Sequence, residues 1–212
     1  MIKIFYQTIS NNTEYEIPKI KWSRFIGNIS HVKSKEDVDK VLAIVKNKYP
    51  DASHDCYAYK YDTKDHLDIF GNVVFSSKEN KAFDDGEPTS TAGKPILNII
   101  EKNQIFDVLL VVTRYFGWTK LWIGWLIQAY GECAKETIAK ARKIKAEITS
   151  RFNFSLDFDL MPNIRNLLNK YEAKIITEKY NEDVELTIEI NNGYSGEFKK
   201  ELSNLSKGQI SL

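Results

Sequence analysis

The stretch Asp84-Asp85-Gly86-Glu87-Pro88-Thr89-Ser90-Thr91-Ala92-Gly93-Lys94-Pro95-Ile96-Leu97 constrains this chain more than any other. Three carboxylates, three hydroxyls, two glycines and two prolines stand directly ahead of an apolar run. No ordinary core strand or surface helix requires that mixture. Asp-Gly and Glu-Pro enforce turns, because glycine reaches positive φ and proline holds φ near about −65°. Thr91 or Gly93 then caps a helix carrying Pro95 in its first turn, where a missing N–H costs nothing. The expected product is a rigid polar loop that presents free backbone N–H groups at a helix start, a shape suited to receiving a ligand or partner.

The chemistry near this loop has several readings. Gly93-Lys94 is not a phosphate loop: the distance back to Gly86 is wrong, and Pro95 stands where Ser or Thr would hold magnesium. Asp84, Asp85 and Glu87 offer oxygens to a divalent cation, but carboxylates in a turn more often bond loop amides, and no metal or other cofactor is assigned. Thr89, Ser90, Thr91 and Lys94 surround the expected helix start, which suits a phosphate or carboxylate. Arg114, at the end of an apolar strand, either serves as a second anion anchor or pairs internally with Asp84, Asp85 or Glu87. His54 and Cys56 share a strand face, but positions i and i+2 lie about 6.5–7 Å apart at the backbone, loose for a nucleophilic pair. No catalytic residue is assigned. Tyr115, Phe116, Trp118, Trp122 and Trp125, interleaved with Arg114 and Lys120, form an aromatic patch that either stacks bases, binds a protein or packs internally.

The balance of 30 basic against 29 acidic residues gives a net charge of +1, so no global field draws in nucleic acid. With 28% charged and 42% hydrophobic residues, the 212-residue chain reads as one large or two small globular domains. Cys56 and Cys133 lack zinc spacing, and the N-terminus lacks a basic region followed by an apolar one. The most apolar stretch, 108–127, is broken by Arg114 and Lys120 and is not a membrane span. The expectation is a cytoplasmic protein.

Hydrophobic patterning predicts strands over 2–9 and 14–32, then a helix capped by Ser34 and carrying Val38, Val41, Leu42 and Val45. Strands follow at 53–61 and 69–76, a short helix at 95–102, a buried strand at 105–113 and a long helix over 124–144. Beyond Ile148 the order is strand, helix opened by Pro162, two strands around 181–183, a helix capped by Ser195 and stopped by Gly208, and a last strand at 210–212. This βαββαβ order is the ferredoxin-like split motif. The fold class is therefore α+β, with a mixed-sheet domain over residues 1–147 and a ferredoxin-like domain over 148–212.

Four segments carry a family resemblance: Lys21-Trp22-Ser23-Arg24-Phe25-Ile26, Ser53-His54-Asp55-Cys56-Tyr57-Ala58-Tyr59, the 84–97 run, and Val111-Val112-Thr113-Arg114-Tyr115-Phe116-Gly117 with Leu126-Ile127-Gln128-Ala129-Tyr130-Gly131. Together they resemble the IMPACT/YigZ family, and the remainder resembles the small C-terminal domain of its bacterial members. The resemblance implies a larger domain similar to domain IV of elongation factor G, a smaller one similar to its domain V, and a role in translation control. It also implies a glycine-rich segment after Arg-Tyr-Phe-Gly. Here Trp118, Trp122 and Trp125 stand at glycine positions of that pattern, and Gly117 and Gly124 remain. The leading expectation is a non-enzymatic regulator that binds the translation machinery, whether the ribosome, RNA or a regulatory protein, with Asp84, Asp85, Glu87, Thr89, Ser90, Thr91, Lys94, Arg114 and Tyr115 in the contact surface. The alternative is an enzyme acting on a phosphorylated or carboxylated small molecule, with Asp85 or Glu87 as base and Arg114 as clamp.

Overall fold

A computed structural model describes residues 3–67 and 73–210. The chain divides into two compact units, Tyr6–Ala146 and a second formed by the residues from Glu147 onward together with those before Tyr6.

In the first unit the elements run β1 (Phe5–Ile9), β2 (Thr13–Glu16), β3 (Arg24–His31), α1 (Lys35–Lys48), β4 (His54–Leu67), β5 (Val73–Phe83), α2 (Gly93–Lys102), β6 (Val108–Tyr115), α3 (Ile123–Lys140) and β7 (Lys143–Glu147). The main sheet has the order β2-β3-β6-β4-β5, and β1 pairs with β7 in a separate two-stranded sheet. All four ladders of the main sheet are antiparallel. The mixed character expected of this domain is confined, among the described residues, to an isolated parallel bridge between Gln7 and Ile105.

β6 is the centre of the sheet and is buried on both faces, which explains its unbroken apolar run. Its alternate residues part cleanly. Val108, Leu110 and Val112 join the core with Ile96, Ile100, Ala129, Tyr130 and Cys133 of α2 and α3, whereas Leu109 and Val111 join Val38 and Val45 of α1. Continuing that period of two places Arg114 on the α3 side of the sheet. The Ser34 hydroxyl accepts from the Asp37 N–H at 3.1 Å, and the Asp37 carboxylate accepts from the Lys33 N–H at 3.0 Å, so a capping-box-like exchange does open α1.

Three expectations are corrected. The strand predicted over 14–32 is two strands joined by a tight turn at Lys21-Trp22, closed by Ile20–Ser23 bonds of 3.0 and 2.9 Å. Both turn residues have left-handed φ, 45° and 71°, as a type I′ hairpin turn demands, but neither is the usual Asn or Gly. β4 continues to Leu67, past the expected end at Tyr61, so the strand expected at 69–76 begins at Val73 as described, its first positions lying outside the described residues. The long helix stops at Lys140, because residues 143–147 pair as β7.

The second unit holds β8 (Thr149–Leu156), α4 (Met161–Lys170), β9 (Lys174–Tyr180), β10 (Val184–Asn191) and α5 (Asn192–Leu205). Its antiparallel sheet has the order β8-β10-β9, and α4 and α5 bury Ile164, Leu168, Phe198 and Leu202 against Leu186 and Ile188. Asn191, not Ser195, caps α5, accepting from the Gly193 N–H at 3.0 Å. Asn191 also grips Ile4, accepting from its N–H at 2.9 Å and donating to its carbonyl at 3.1 Å. The helix ends in a Schellman motif, with Lys207 left-handed at φ 51°, the Gly208 N–H on the Ser203 carbonyl at 2.8 Å and the Lys207 N–H on the Asn204 carbonyl at 3.2 Å. The expected final strand is not seen at Ile210, and residues 211–212 lie outside the described residues. Among the described residues no helix is long and apolar enough to cross a membrane.

Candidate functional site

The 84–93 loop folds as its turn chemistry dictates. Asp85 and Gly86 both take left-handed φ, 44° and 86°, and the Glu87 N–H closes the turn on the Asp84 carbonyl at 2.9 Å. Gly86 supplies the position where a side chain is most strained. A second turn follows, in which Pro88 O accepts from the Thr91 N–H at 3.0 Å and from its hydroxyl at 2.6 Å.

The loop does not leave the helix start open. The Asp84 carboxylate accepts from the Ser90 N–H at 2.9 Å, the Ala92 N–H at 3.0 Å and the Gly93 N–H at 2.8 Å. A carboxylate from nine residues upstream thus does what Thr91 or Gly93 was expected to do, and it holds the place assigned to an anionic ligand. Thr91 is buried, while Thr89, Ser90 and Lys94 are exposed beyond it.

Of the two readings of Arg114, the structure takes the internal pair. Arg114 and Glu87 are only 3% and 9% exposed, and Nη1 meets Oε1 at 2.5 Å. Tyr130 OH donates to the same Glu87 oxygen at 2.7 Å. The other guanidinium nitrogen, Nη2, reaches Ser23 Oγ at 3.4 Å, and the guanidinium lies over the rings of Phe25 and Phe116 at 5.6 and 5.5 Å. The pairing register explains this convergence, since Arg114 lies opposite both His54 and Phe25.

His54 and Cys56 do not form a nucleophilic pair. His54 Nδ1 meets the Asp85 carbonyl at 2.8 Å, and the Cys56 thiol donates to the Asp84 carbonyl at 2.9 Å. Cys56 is fully buried, and burial pushes its thiol well above the ordinary range. Burial likewise raises the Tyr130 hydroxyl, with the neighbouring Cys56 adding to it. Asp85 and Asp55 bind the loop to β4 and β6: the Asp55 N–H donates to Asp85 Oδ2 at 2.7 Å, and Thr113 Oγ1 donates to Asp55 Oδ1 at 2.7 Å. Burial holds the Asp55 carboxyl above its usual value. Each of these side chains has a protein partner, with the buried Arg114 Nε the one nitrogen of its guanidinium group left without an acceptor, so the cluster reads as a locked joint. Among the described residues no group of His, Cys, Asp and Glu is arranged to hold a metal ion.

The aromatic residues behave differently. Trp118, Trp122 and Trp125 are 96%, 80% and 43% exposed, and Trp22 is 71% exposed. These are all four tryptophans of the chain. Lys21 Nζ sits 4.5 Å above the Trp125 ring, and Gly117 packs on the 21–22 turn so closely that a Cβ there would meet the Trp22 carbonyl carbon at 2.5 Å. Ser23 Oγ accepts from the Gly117 N–H at 3.1 Å as well as from Arg114. The Phe116 N–H is tied to Ser53 Oγ at 2.9 Å, and Tyr115 OH to Asp51 at 3.0 Å. The turn at Lys21-Trp22 escapes a reading of the sequence because no Asn or Gly marks it. Its only signal is its place in one of the four motif segments.

The sequence of residues 21–138 matches the Impact N-terminal domain, and residues 154–209 match a domain of unknown function, DUF1949. The chain belongs to the IMPACT family. Among relatives, the IMPACT family member YvyE of Bacillus subtilis is 30% identical over 207 residues, which cover 98% of this chain and 89% of that one. The IMPACT family member YigZ of Escherichia coli is 29% identical over 196 residues, covering 92% of this chain and 91% of that one. A solved structure described as a hypothetical protein aligns with a TM-score of 0.69 at 25% identity, covering 100% of this chain and 98% of the other. Family membership accounts for the order of the two units. What the exposed indoles of this member contact is a separate question, answered by their chemistry.

Proposed function

We propose that this IMPACT-family chain is a cytoplasmic, non-enzymatic regulator that binds the translation machinery through the aromatic and basic face around Trp22, Phe116, Trp118, Trp122 and Trp125. The observation that carries this reading is the exposure of every tryptophan in one place, on supports fixed by Gly117, Ser23 and the buried Arg114–Glu87 pair. Exposed indoles cost solvation that a monomer has no reason to accept, and they are typical binding anchors. The 84–93 loop supports the face and is not itself the contact, because Glu87 is spent on Arg114, and Asp84 and Asp85 on backbone N–H groups. For the same reason the enzymatic reading loses both its clamp and its base.

Co-sedimentation of the purified protein with ribosomes across a salt series tests the proposal. Wild type pellets with ribosomes at low salt, and Trp118→Ala/Trp122→Ala does not. Equal pelleting of both proteins, or none at low salt, removes the reading. Arg114→Ala is a poor probe, since it breaks a buried pair.

A further inference from the structure

The contact face has a chemistry of its own. Segments 19–25 and 115–128 hold Lys19, Lys21, Arg24 and Lys120 and not one carboxylate, in a chain whose charges otherwise nearly cancel. Arg24 is partly neutralised across the hairpin by Glu16, at 2.9 Å from each of two guanidinium nitrogens. Lys21 is turned onto the Trp125 ring. α3 starts on the same face with Trp122 as its N-cap, without a side-chain cap and without an acidic residue in its first turn, so the positive end of the helix adds to the local field. An apolar protein surface would find no use for this charge, and a bilayer would want a continuous apolar body. Here Thr119, Lys120, Gly117 and Gly124 separate the rings.

Separate, solvent-facing rings among cations, where the neighbouring carboxylates Glu16 and Asp51 are already engaged by Arg24 and Tyr115, match a strand whose bases are free to stack and whose backbone is a polyanion. The Lys21-Trp22 turn holds its ring in a left-handed conformation that a bulky residue seldom adopts, and such strain is retained where a side chain must be aimed. We infer that the face binds single-stranded RNA, with Trp118, Trp122 and Trp22 stacking on bases and Lys21 and Lys120 beside the phosphates. This deepens the proposed function and rests on the same face being the contact. It names the partner chemistry as unpaired RNA.

The tryptophans also make the test direct, since all intrinsic indole fluorescence comes from this face. Titrating the full chain with a short oligouridine should quench that fluorescence saturably. Affinity should fall steeply with added salt, through counterion release. Trp118→Ala/Trp122→Ala should weaken binding, followed by anisotropy of labelled RNA, by roughly tenfold or more for each ring removed. Lys21→Ala/Lys120→Ala should lower both the affinity and the salt slope. The inference fails if oligouridine gives no quenching at low salt, if duplex RNA binds equally well, or if anionic phosphatidylserine vesicles quench where RNA does not. Ribosome co-sedimentation that survives without oligouridine binding overturns this inference alone and leaves the proposed function with a protein contact.

Discussion

Glu87 is where the joint under the aromatic face can be broken most informatively. One oxygen of its carboxylate, buried with the rest of the side chain, receives Arg114 Nη1 at 2.5 Å and Tyr130 OH at 2.7 Å. Glu87→Ala strands a guanidinium that is 3% exposed and removes the acceptor of a buried phenol. Breaking a buried ion pair from one side costs about 3–5 kcal/mol. The lost Tyr130 bond, worth about 1 kcal/mol net, places the variant in the upper part of that range. A domain with about 5–15 kcal/mol of stability survives this, but with a melting temperature lower by roughly 10–20 °C. Calorimetry and urea melts followed by far-ultraviolet circular dichroism read the loss, whereas indole fluorescence does not, since the rings are already in water. The companion variant Glu87→Leu/Arg114→Met removes both charges and should recover most of the stability, because an apolar pair of similar volume avoids the desolvation of two ions. A cost for Glu87→Ala below about 1 kcal/mol refutes the pairing, as does simple addition of the two single effects to within about 0.5 kcal/mol.

Further outcomes follow from the same geometry. Trp22→Gly relieves a left-handed φ of 71° at an exposed residue and should stabilise the protein by about 1 kcal/mol in a urea melt while weakening RNA binding. A loss of stability would show that the indole packs. Gly117→Ala forces a Cβ against backbone at 2.5 Å and should cost more than about 2 kcal/mol, with the Lys21-Trp22 turn displaced; an unchanged melt contradicts the close approach. Neither Cys56 nor Cys133 should react with an aromatic disulfide reagent at neutral pH until the protein unfolds, since both are buried and burial pushes the Cys133 thiol up to about 12. Rapid modification of the native protein would overturn that. Burial, aided by Lys33, depresses His31 below its ordinary value of 6.5. The unfolded chain then takes up its proton first, so stability contributed by His31 is full above about 6.5 and is lost as pH falls toward the folded value. A proton NMR titration placing His31 above 6.5 would reverse the sign.

Most of the fold is legible in the sequence because hydrophobic period and turn chemistry speak for themselves. β6 reads as a buried strand, Asp85-Gly86 as a turn, and the Pro162 helix and the 181–183 turn as part of a split βαββ order. Where the pattern misleads, a tertiary partner has replaced a local signal. Asp84 caps α2 from a distance, so neither Thr91 nor Gly93 needs to act. The turn at Lys21-Trp22 has no glycine, because Ser23 and the close approach of Gly117 hold it from outside. The first residues of β7 read as the end of a helix, since Lys143-Ile144-Lys145-Ala146-Glu147 is exposed over most of its length and shows its pattern only beside β1. The candidate site residues are legible as a group, but their roles are not. Glu87 and Arg114 have the chemistry to hold a ligand, and in the folded chain they hold each other.

That exchange of roles bears on how the tryptophans sit. A glycine-rich segment lets a partner approach the backbone, and an indole at the same place forbids it. At Gly117 the approach is made by the chain's own Trp22-Ser23 backbone, which leaves no room for a Cβ. At 118, 122 and 125 nothing internal demands a small residue, and the rings stand in solvent. Replacing all three by glycine should therefore leave the core intact and cost the helix penalty at Trp125, about 1 kcal/mol, together with the Lys21–Trp125 ring contact, about 0.5–1 kcal/mol. It should also weaken RNA binding sharply, since Trp22 is the one indole that remains to stack. If the triple variant instead fails to fold, the indoles are structural, and the contact face must be sought elsewhere on the sheet.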